Sequence, residues 1–202
     1  HKSHRGQKIN KSPVQNISEK LNLKFRCPEN LRNNDEEYEF IKIKKVSGSI
    51  GAVIENVQLN NDLNEEVFDE IYDAFLKYQV IFFRDQKFSP ESQKSFANKI
   101  GTPIIYPFVK GLENFPEITP ILKKETDTNN FGGIWHSDTT YQDEPPKGTM
   151  LFALEVPDFG GDTEFSNQYL AYDTLSEGMK NFLNNQKAVN ISGKGRVAKT
   201  IS

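Results

Sequence analysis

The chain has 202 residues, with 25 basic and 28 acidic side chains and a net charge of -3. This length fits one ordinary domain, with or without a tail, and the near-balanced charge favours a small-molecule partner over nucleic acid or an anionic membrane. The single cysteine, Cys27, excludes an internal disulfide and a cysteine-based metal site, and no apolar run approaches the roughly 18 residues of a membrane span, so we expect a cytoplasmic protein.

The chain opens with a polar stretch. Residues 1–38 are rich in Lys, Asn, Ser and Glu, which predicts a polar N-terminal extension before a domain at 39–202. Apolar and charged residues alternate over 39–46, as in a half-buried strand, and a second apolar run covers 52–57. Gly48 and Gly51 separate the two runs, so we expect a β-hairpin here.

A helix, a strand and a second helix are predicted next. Asn61, Asp62 and Asn64 are candidate N-caps for a helix that reaches about Tyr78. Val80–Phe83 lacks polar alternation and is interpreted as a strand buried on both faces. Ser89 and Pro90 supply an N-cap and a first-turn proline for a helix that ends at Gly101. The apolar face of the first helix is formed by Val67, Ile71, Ala74 and Phe75.

Strands dominate the predictions for the second half. The predicted elements are an edge strand at Ile118–Leu122, a loop at Lys123–Asn130, a strand at Thr149–Val156, a turn at Gly160–Gly161, a short strand at Thr163–Phe165 and a helix capped by Ser176. The fold class is therefore α+β and mainly β, with a β core and flanking helices.

His136 and Asp138 are the candidate metal ligands. On a strand, residues two apart point to the same face, so both side chains could reach one ion. Two histidines and one carboxylate form the facial triad of mononuclear iron oxygenases, of which His-x-Asp supplies two members. The motif alone also fits a surface histidine paired with a carboxylate, or a zinc ligand pair.

An extended pattern surrounds this motif. It comprises Ile50–Ala52, Val80–Gln86, Phe131–Tyr141, Pro145–Pro146 and Gly160–Phe165. Over about 41–188 the chain resembles the taurine and phenoxyacetate dioxygenase family. The resemblance implies a double-stranded β-helix (jelly-roll) core, Fe(II) as cofactor, and 2-oxoglutarate and O2 as cosubstrates. It implies hydroxylation of a small, anionic substrate such as a sulfonate, alkyl sulfate or aryloxy or carboxylic acid, with release of succinate and CO2; homo-oligomers are common among members.

The resemblance assigns roles to individual residues. His136 and Asp138 match the first two iron ligands, and Thr163 matches the threonine that binds the 2-oxoglutarate carboxylate. Trp135 is interpreted as packing behind His136 to fix its ring. Thr139 and Tyr141 follow the motif and either line the substrate pocket or pack beneath it.

Three positions separate this chain from the taurine-specific members. Tyr106 stands where those members carry a substrate-binding histidine, Val109 where they carry a tyrosine and Gly132 where they carry an asparagine. We therefore predict Tyr106 and Thr139 as substrate-binding residues and do not expect taurine itself as the substrate.

Two expected features are missing from the sequence. The family supplies a second histidine ligand, followed by an arginine for the distal 2-oxoglutarate carboxylate, near its C-terminus. The other histidines here are His1 and His4, and Arg196 lies too early to be that arginine. We expect the jelly-roll domain to be incomplete at its C-terminus; the alternatives are a catalytically silent binding protein and a zinc-binding relative.

Overall fold

A computed structural model of the chain describes residues 13–21, 41–59, 63–128 and 132–192. The chain divides into two compact units, His1–Phe40 and Ile41–Ser202. In the first unit the described residues form helix α1 (Pro13–Lys20), in which Ser18 is buried. This helix was not anticipated from the polar composition of the segment.

A small mixed sheet organises the second unit. Strands β1 (Lys42–Lys45) and β2 (Ala52–Glu55) are antiparallel, with Lys42 opposite Glu55, which confirms the predicted hairpin. Strand β3 (Ile81–Phe83) pairs with β2 in parallel, so the strand order is β1-β2-β3. The side chains of β3 are only half-buried, so the prediction of a strand buried on both faces is wrong.

Both predicted helices of the first half are present. Helix α2 (Glu65–Tyr78) is capped by Asn64, whose side chain accepts a hydrogen bond from the Val67 amide; Asn61 and Asp62 lie outside the described residues. Helix α3 (Pro90–Ile100) is capped by Ser89 and has Pro90 in its first turn, as predicted. These side chains satisfy amide groups that have no partner inside the helix.

The core lies between α2, α3 and the sheet. Helix α2 connects the parallel strands β2 and β3, and its inner face is buried against both β2 and α3. The buried residues of this core are Ile54, Leu59, Ile71, Ala74 and Phe96.

The described residues between α3 and position 167 form neither helix nor strand. The strands predicted at Ile118–Leu122, Thr149–Val156 and Thr163–Phe165 are therefore not formed, and the described part of the predicted loop, 123–128, is irregular. Turns supply local backbone hydrogen bonds here; for example, the Leu112 amide donates to the Ile118 carbonyl at 2.9 Å. Of the β structure that was predicted, the described residues therefore form only the three-stranded sheet.

Two short helices follow. Helix α4 (Gln168–Asp173) was not predicted and is capped by Asn167, whereas α5 (Glu177–Leu183) begins after Ser176 as predicted. Gly160 and Gly161 both have positive φ, which favours glycine at the predicted turn. Within the described ranges, no helix has the length and apolar character needed to cross a bilayer.

Candidate metal centre

His136 and Asp138 lie together in an irregular segment. His136 Nε2 is 3.1 Å from Asp138 Oδ1, and about half of each side chain is exposed. The prediction that a β-strand places them on one face is wrong, because the chain turns at Asp138 and Thr139 has a φ of +50°. A turn therefore brings together the two side chains that the sequence proposed as a pair.

A backbone carbonyl orients the imidazole of His136. Nδ1 lies 2.6 Å from the carbonyl oxygen of Ile134, which can only accept a hydrogen bond. Nδ1 therefore carries the proton, and in the neutral ring Nε2 presents a lone pair towards Asp138. Metal-binding histidines are commonly fixed in this way through their second nitrogen.

The carboxylate of Asp138 is oriented by a hydroxyl. Thr149 Oγ1 donates to Asp138 Oδ2 at 2.9 Å, and Oδ1 faces the imidazole. Two lone pairs, on Nε2 and Oδ1, then point at each other unless a cation lies between them. A proton or a metal ion supplies that positive charge.

The spacing of these donors suits adjacent ligands of one ion. Two ligand atoms at about 2.1 Å from a metal and at a right angle are separated by about 3.0 Å, close to the 3.1 Å observed. An imidazole and a carboxylate are also the donor types of the iron triad. Among the described residues, however, no group of three His, Cys, Asp or Glu side chains could hold a metal, so His136 and Asp138 fit two positions and a third donor must come from elsewhere.

A row of aromatic rings accompanies the pair. Tyr106 meets Phe108 edge to face at 5.6 Å between ring centroids, and Phe108 lies 6.0 Å from Tyr141. Burial raises the pKa of the Tyr106 hydroxyl, and the charges of Tyr141 and Asp138 raise it further. Tyr106 therefore stays a neutral hydrogen-bonding group close to Asp138.

Two buried hydroxyls beside the motif have no hydrogen-bond partner among the described residues. They are Thr139 Oγ1 and Tyr141 OH. A buried hydroxyl without a partner costs about 1–3 kcal/mol, so each is suited to a hydrogen bond with a bound molecule. Tyr141 thus joins the two residues predicted to contact substrate, Tyr106 and Thr139.

Thr163 is exposed and is not brought to the pair by any described hydrogen bond. Its segment is nevertheless attached to the sheet region: Phe165 meets Phe82 edge to face at 6.4 Å, and Asn167 donates to the Ser49 carbonyl at 2.6 Å. The role assigned to Thr163 stays a prediction.

The predicted role of Trp135 is wrong. Its side chain is 68 % exposed and does not pack behind the motif. The Ile134 carbonyl holds the His136 ring instead, and Gly132 lies so close that an added Cβ would be 3.3 Å from His136 Cε1. The contact of Thr149 with Asp138 was not predictable, since a contact across eleven residues in an irregular segment leaves no periodic signal in the sequence.

A surface groove is lined by other residues. They are 54–58, at the end of β2 and beyond it, and 84–86, after β3. Gln86 uses its amide here to join the two segments, accepting from the Leu59 amide at 2.8 Å and donating to the Val57 carbonyl at 2.9 Å. We interpret these bonds as structural.

Several known proteins that resemble this chain point to the same protein family. Residues 42–200 match the model of the "Taurine catabolism dioxygenase TauD, TfdA family". The chain is 33 % identical over 150 residues to an alkylsulfatase of Acinetobacter baylyi, covering 74 % of this chain and 46 % of the relative. It is 31 % identical over 144 residues to the (S)-phenoxypropionate/alpha-ketoglutarate-dioxygenase of Sphingobium herbicidovorans, covering 68 % of this chain and 49 % of that protein.

Solved structures agree with this comparison. A taurine dioxygenase from Burkholderia xenovorans superposes with a TM-score of 0.58 at 29 % identity, over 72 % of this chain and 51 % of that one. The chain therefore spans about half the length of the relatives that it matches.

A further match is short and of another kind. A stretch of 41 residues, 20 % of this chain, is 56 % identical to 13 % of the methionyl-tRNA formyltransferase of Pelagibacter ubique. A match to so small a share of the formyltransferase does not indicate that this chain has its activity.

Proposed function

Because this chain belongs to the taurine catabolism dioxygenase TauD, TfdA family, we propose that it supplies the first two iron ligands of an iron(II)- and 2-oxoglutarate-dependent dioxygenase. The observation that carries the proposal is the 3.1 Å separation of His136 Nε2 and Asp138 Oδ1. When bound, iron(II) would supply the redox chemistry that activates O2 for hydroxylation, with 2-oxoglutarate converted to succinate and CO2.

Each ligand is prepared by the surrounding chain. The Ile134 carbonyl holds the proton of His136 on Nδ1 and so keeps Nε2 free for the metal. Asp138 Oδ1 faces the same position and brings one negative charge towards the cation. Thr163 would bind the 2-oxoglutarate carboxylate, a role supported by its place in the Gly160–Phe165 motif.

The rest of the triad belongs to the part of the family that this chain does not cover. No histidine follows Asp138 in the sequence, and the chain spans about half the length of its relatives. We propose that the second histidine, the arginine for 2-oxoglutarate and the completion of the jelly-roll core come from that remaining part. The dioxygenase domain would then begin near residue 39, and residues 1–38 lie outside it, which is supported by the family match starting at 42.

The substrate is proposed to be a small organic anion other than taurine. Tyr106, Phe108 and Tyr141 form an aromatic row beside Asp138, suited to an apolar or aryl group, and Tyr106 replaces the histidine expected for taurine. The Thr139 and Tyr141 hydroxyls can donate to an anionic head group. Alkyl sulfates and aryloxy acids combine these features, in keeping with the names of two relatives.

The test measures succinate made from 2-oxoglutarate by the natural gene product, with Fe(II) and a panel of alkyl sulfates, sulfonates and aryloxy acids. We expect succinate formation that depends on Fe(II), is abolished when Zn(II) replaces it, and is stimulated more by aryloxy acids or alkyl sulfates than by taurine. If the natural gene product forms no succinate in an Fe(II)-dependent manner under any of these conditions, the proposal is contradicted.

A further inference from the structure

One described hydrogen bond holds the carboxylate of Asp138 from outside its own turn. Thr149 Oγ1 donates to Oδ2 at 2.9 Å, from a position eleven residues further along the chain. The other oxygen, Oδ1, is the one that faces His136 Nε2. The two oxygens of this carboxylate therefore differ in their surroundings: Oδ2 accepts a hydrogen bond from Thr149, and Oδ1 faces the candidate metal position.

Thr149 is attached to the folded core through its neighbours. Lys147 Nζ donates to the carbonyl of Ile100 at the end of α3, at 3.0 Å. Gly148 lies against α2 so closely that an added Cβ would be 3.0 Å from Cζ of Phe75. Met150 packs against the buried core cluster. The hydroxyl of Thr149 is thus presented from a segment fixed to α2, α3 and the core.

Asp138 has no such support from its own segment. It lies in an irregular turn and its side chain is about half exposed. A free aspartate samples several rotamers, each of which presents a different oxygen or none to the metal. A charge-assisted hydrogen bond from a fixed hydroxyl selects one of them.

We propose that Thr149 is a positioning residue that orients Asp138 for metal binding through a single oxygen. The inference rests on the proposed iron-binding role of His136 and Asp138 and adds a residue that acts through Asp138 without touching the metal. Because its hydrogen bond occupies Oδ2, binding of both carboxylate oxygens to one ion is disfavoured. Binding through Oδ1 alone leaves more coordination positions for cosubstrates.

The test is a Mn(II) titration of the natural gene product, followed by paramagnetic broadening of the His136 ring protons in NMR spectra. A His136→Gln variant assigns the His136 signal among those of the other histidines. Thr149→Val removes the donor while keeping the shape, and Thr149→Ser keeps a hydroxyl. Loss of a hydrogen bond to a metal ligand typically weakens affinity 10–100-fold, so Thr149→Val should need about tenfold more Mn(II), and Thr149→Ser should behave as the original protein.

A matched control is Thr140→Val, the same change on a neighbouring threonine whose hydroxyl contacts Asn190 rather than Asp138. It should leave the titration unchanged. If Thr149→Val and the control titrate alike, the positioning role is refuted. If Thr149→Val does not fold, Thr149→Ala replaces it, and an unchanged midpoint in that variant refutes the role equally.

The Mn(II) titration distinguishes an error in the proposed metal pair from an error in the role of Thr149. If Mn(II) leaves His136 unbroadened in the unmodified gene product at every concentration, the proposed metal pair itself is wrong. If His136 broadens normally but Thr149→Val and Thr149→Ala have no effect, the metal pair stands and only the role of Thr149 is lost.

Discussion

His136 Nε2 faces Asp138 Oδ1 across 3.1 Å, with both side chains about half exposed. Because neither side chain is buried, removing one should affect ion binding far more than folding. We predict that His136→Ala and Asp138→Ala abolish Mn(II) binding, measured as the free-ion signal in electron paramagnetic resonance, and change the free energy of unfolding by no more than about 0.5 kcal/mol. Asp143→Ala, at an exposed carboxylate nearby, is the control; binding that survives either ligand variant would reject the assignment.

Gly132 should prove necessary for the position of the His136 ring. Its φ is +70°, and an added Cβ would lie 3.3 Å from His136 Cε1. Gly132→Ala should lower the free energy of unfolding by about 1 kcal/mol and also weaken Mn(II) binding. Gly160→Ala separates the two effects, because Gly160 has a φ of +80° but open space around it, so it should lose stability and keep Mn(II) affinity. Equal Mn(II) affinity in both variants would contradict this prediction.

The buried Tyr141 hydroxyl should lower the free energy of unfolding as long as no ligand forms a hydrogen bond with it. It has no hydrogen-bond partner among the described residues, so Tyr141→Phe should leave the melting temperature unchanged or raise it. Tyr172→Phe is the contrast, since the Tyr172 hydroxyl donates to Asn184 Oδ1 at 2.8 Å and its loss should cost about 0.5–1.5 kcal/mol. A clear loss of stability in Tyr141→Phe, measured by thermal unfolding without ligand, would show that the free protein already uses this hydroxyl.

The Lys94–Glu117 ion pair should make stability depend on acid pH. The Lys94 ammonium group, 2.6 Å from Glu117 Oε1, holds the pKa of that carboxyl below its usual value, and a backbone hydrogen bond lowers it further. A lowered pKa stabilises the folded state above the ordinary glutamate value of about 4.3, and this stability is lost as the pH falls through the lowered value.

Glu117→Gln should therefore be less stable than the original protein at pH 7, and the two unfolding curves should converge at low pH. Urea unfolding between pH 2.5 and 7 measures this, with the exposed Glu113→Gln as a control on the same loop. A difference that stays constant with pH would show that charge is not the cause.

The two faces of α2 should respond differently to truncation. Ile71 is 1 % exposed inside the core, so Ile71→Ala should cost about 2–5 kcal/mol and Ile71→Val about 0.5–1.5 kcal/mol. Leu76 lies on the same helix and is 61 % exposed, so Leu76→Ala should change stability by no more than about 0.5 kcal/mol. Similar losses at both positions in urea unfolding would mean that Leu76 is covered in the folded protein.

Elements that depend on local signals were predictable. Asn64 and Ser89 cap α2 and α3 as expected, because each cap bonds to an amide three residues away and needs no distant partner. The β1–β2 hairpin was predictable for the same reason, since its strands are joined by a short glycine-containing turn.

Elements that need a partner far away in the sequence were not predictable. Thr149–Val156 has the composition of a strand, but a strand forms only when another segment pairs with its backbone, and none of the described residues does so. The predicted packing of Trp135 was wrong for a related reason. An aromatic residue beside a functional motif packs inwards only if the fold supplies a surface to cover it.

The sequence by itself singled out His136 and Asp138 as the proposed metal pair and, through the motif around them, indicated the family to which the chain belongs. Residue types and their order are sufficient for this, since ligand chemistry depends on the imidazole and the carboxylate themselves. Only the tertiary structure decided how the pair is held: a turn replaces the expected strand, Ile134 fixes the ring, and Thr149 reaches Asp138 from eleven residues away. These contacts depend on how α2, α3 and the core place the 147–150 segment, and a spacing pattern along the chain does not encode that placement.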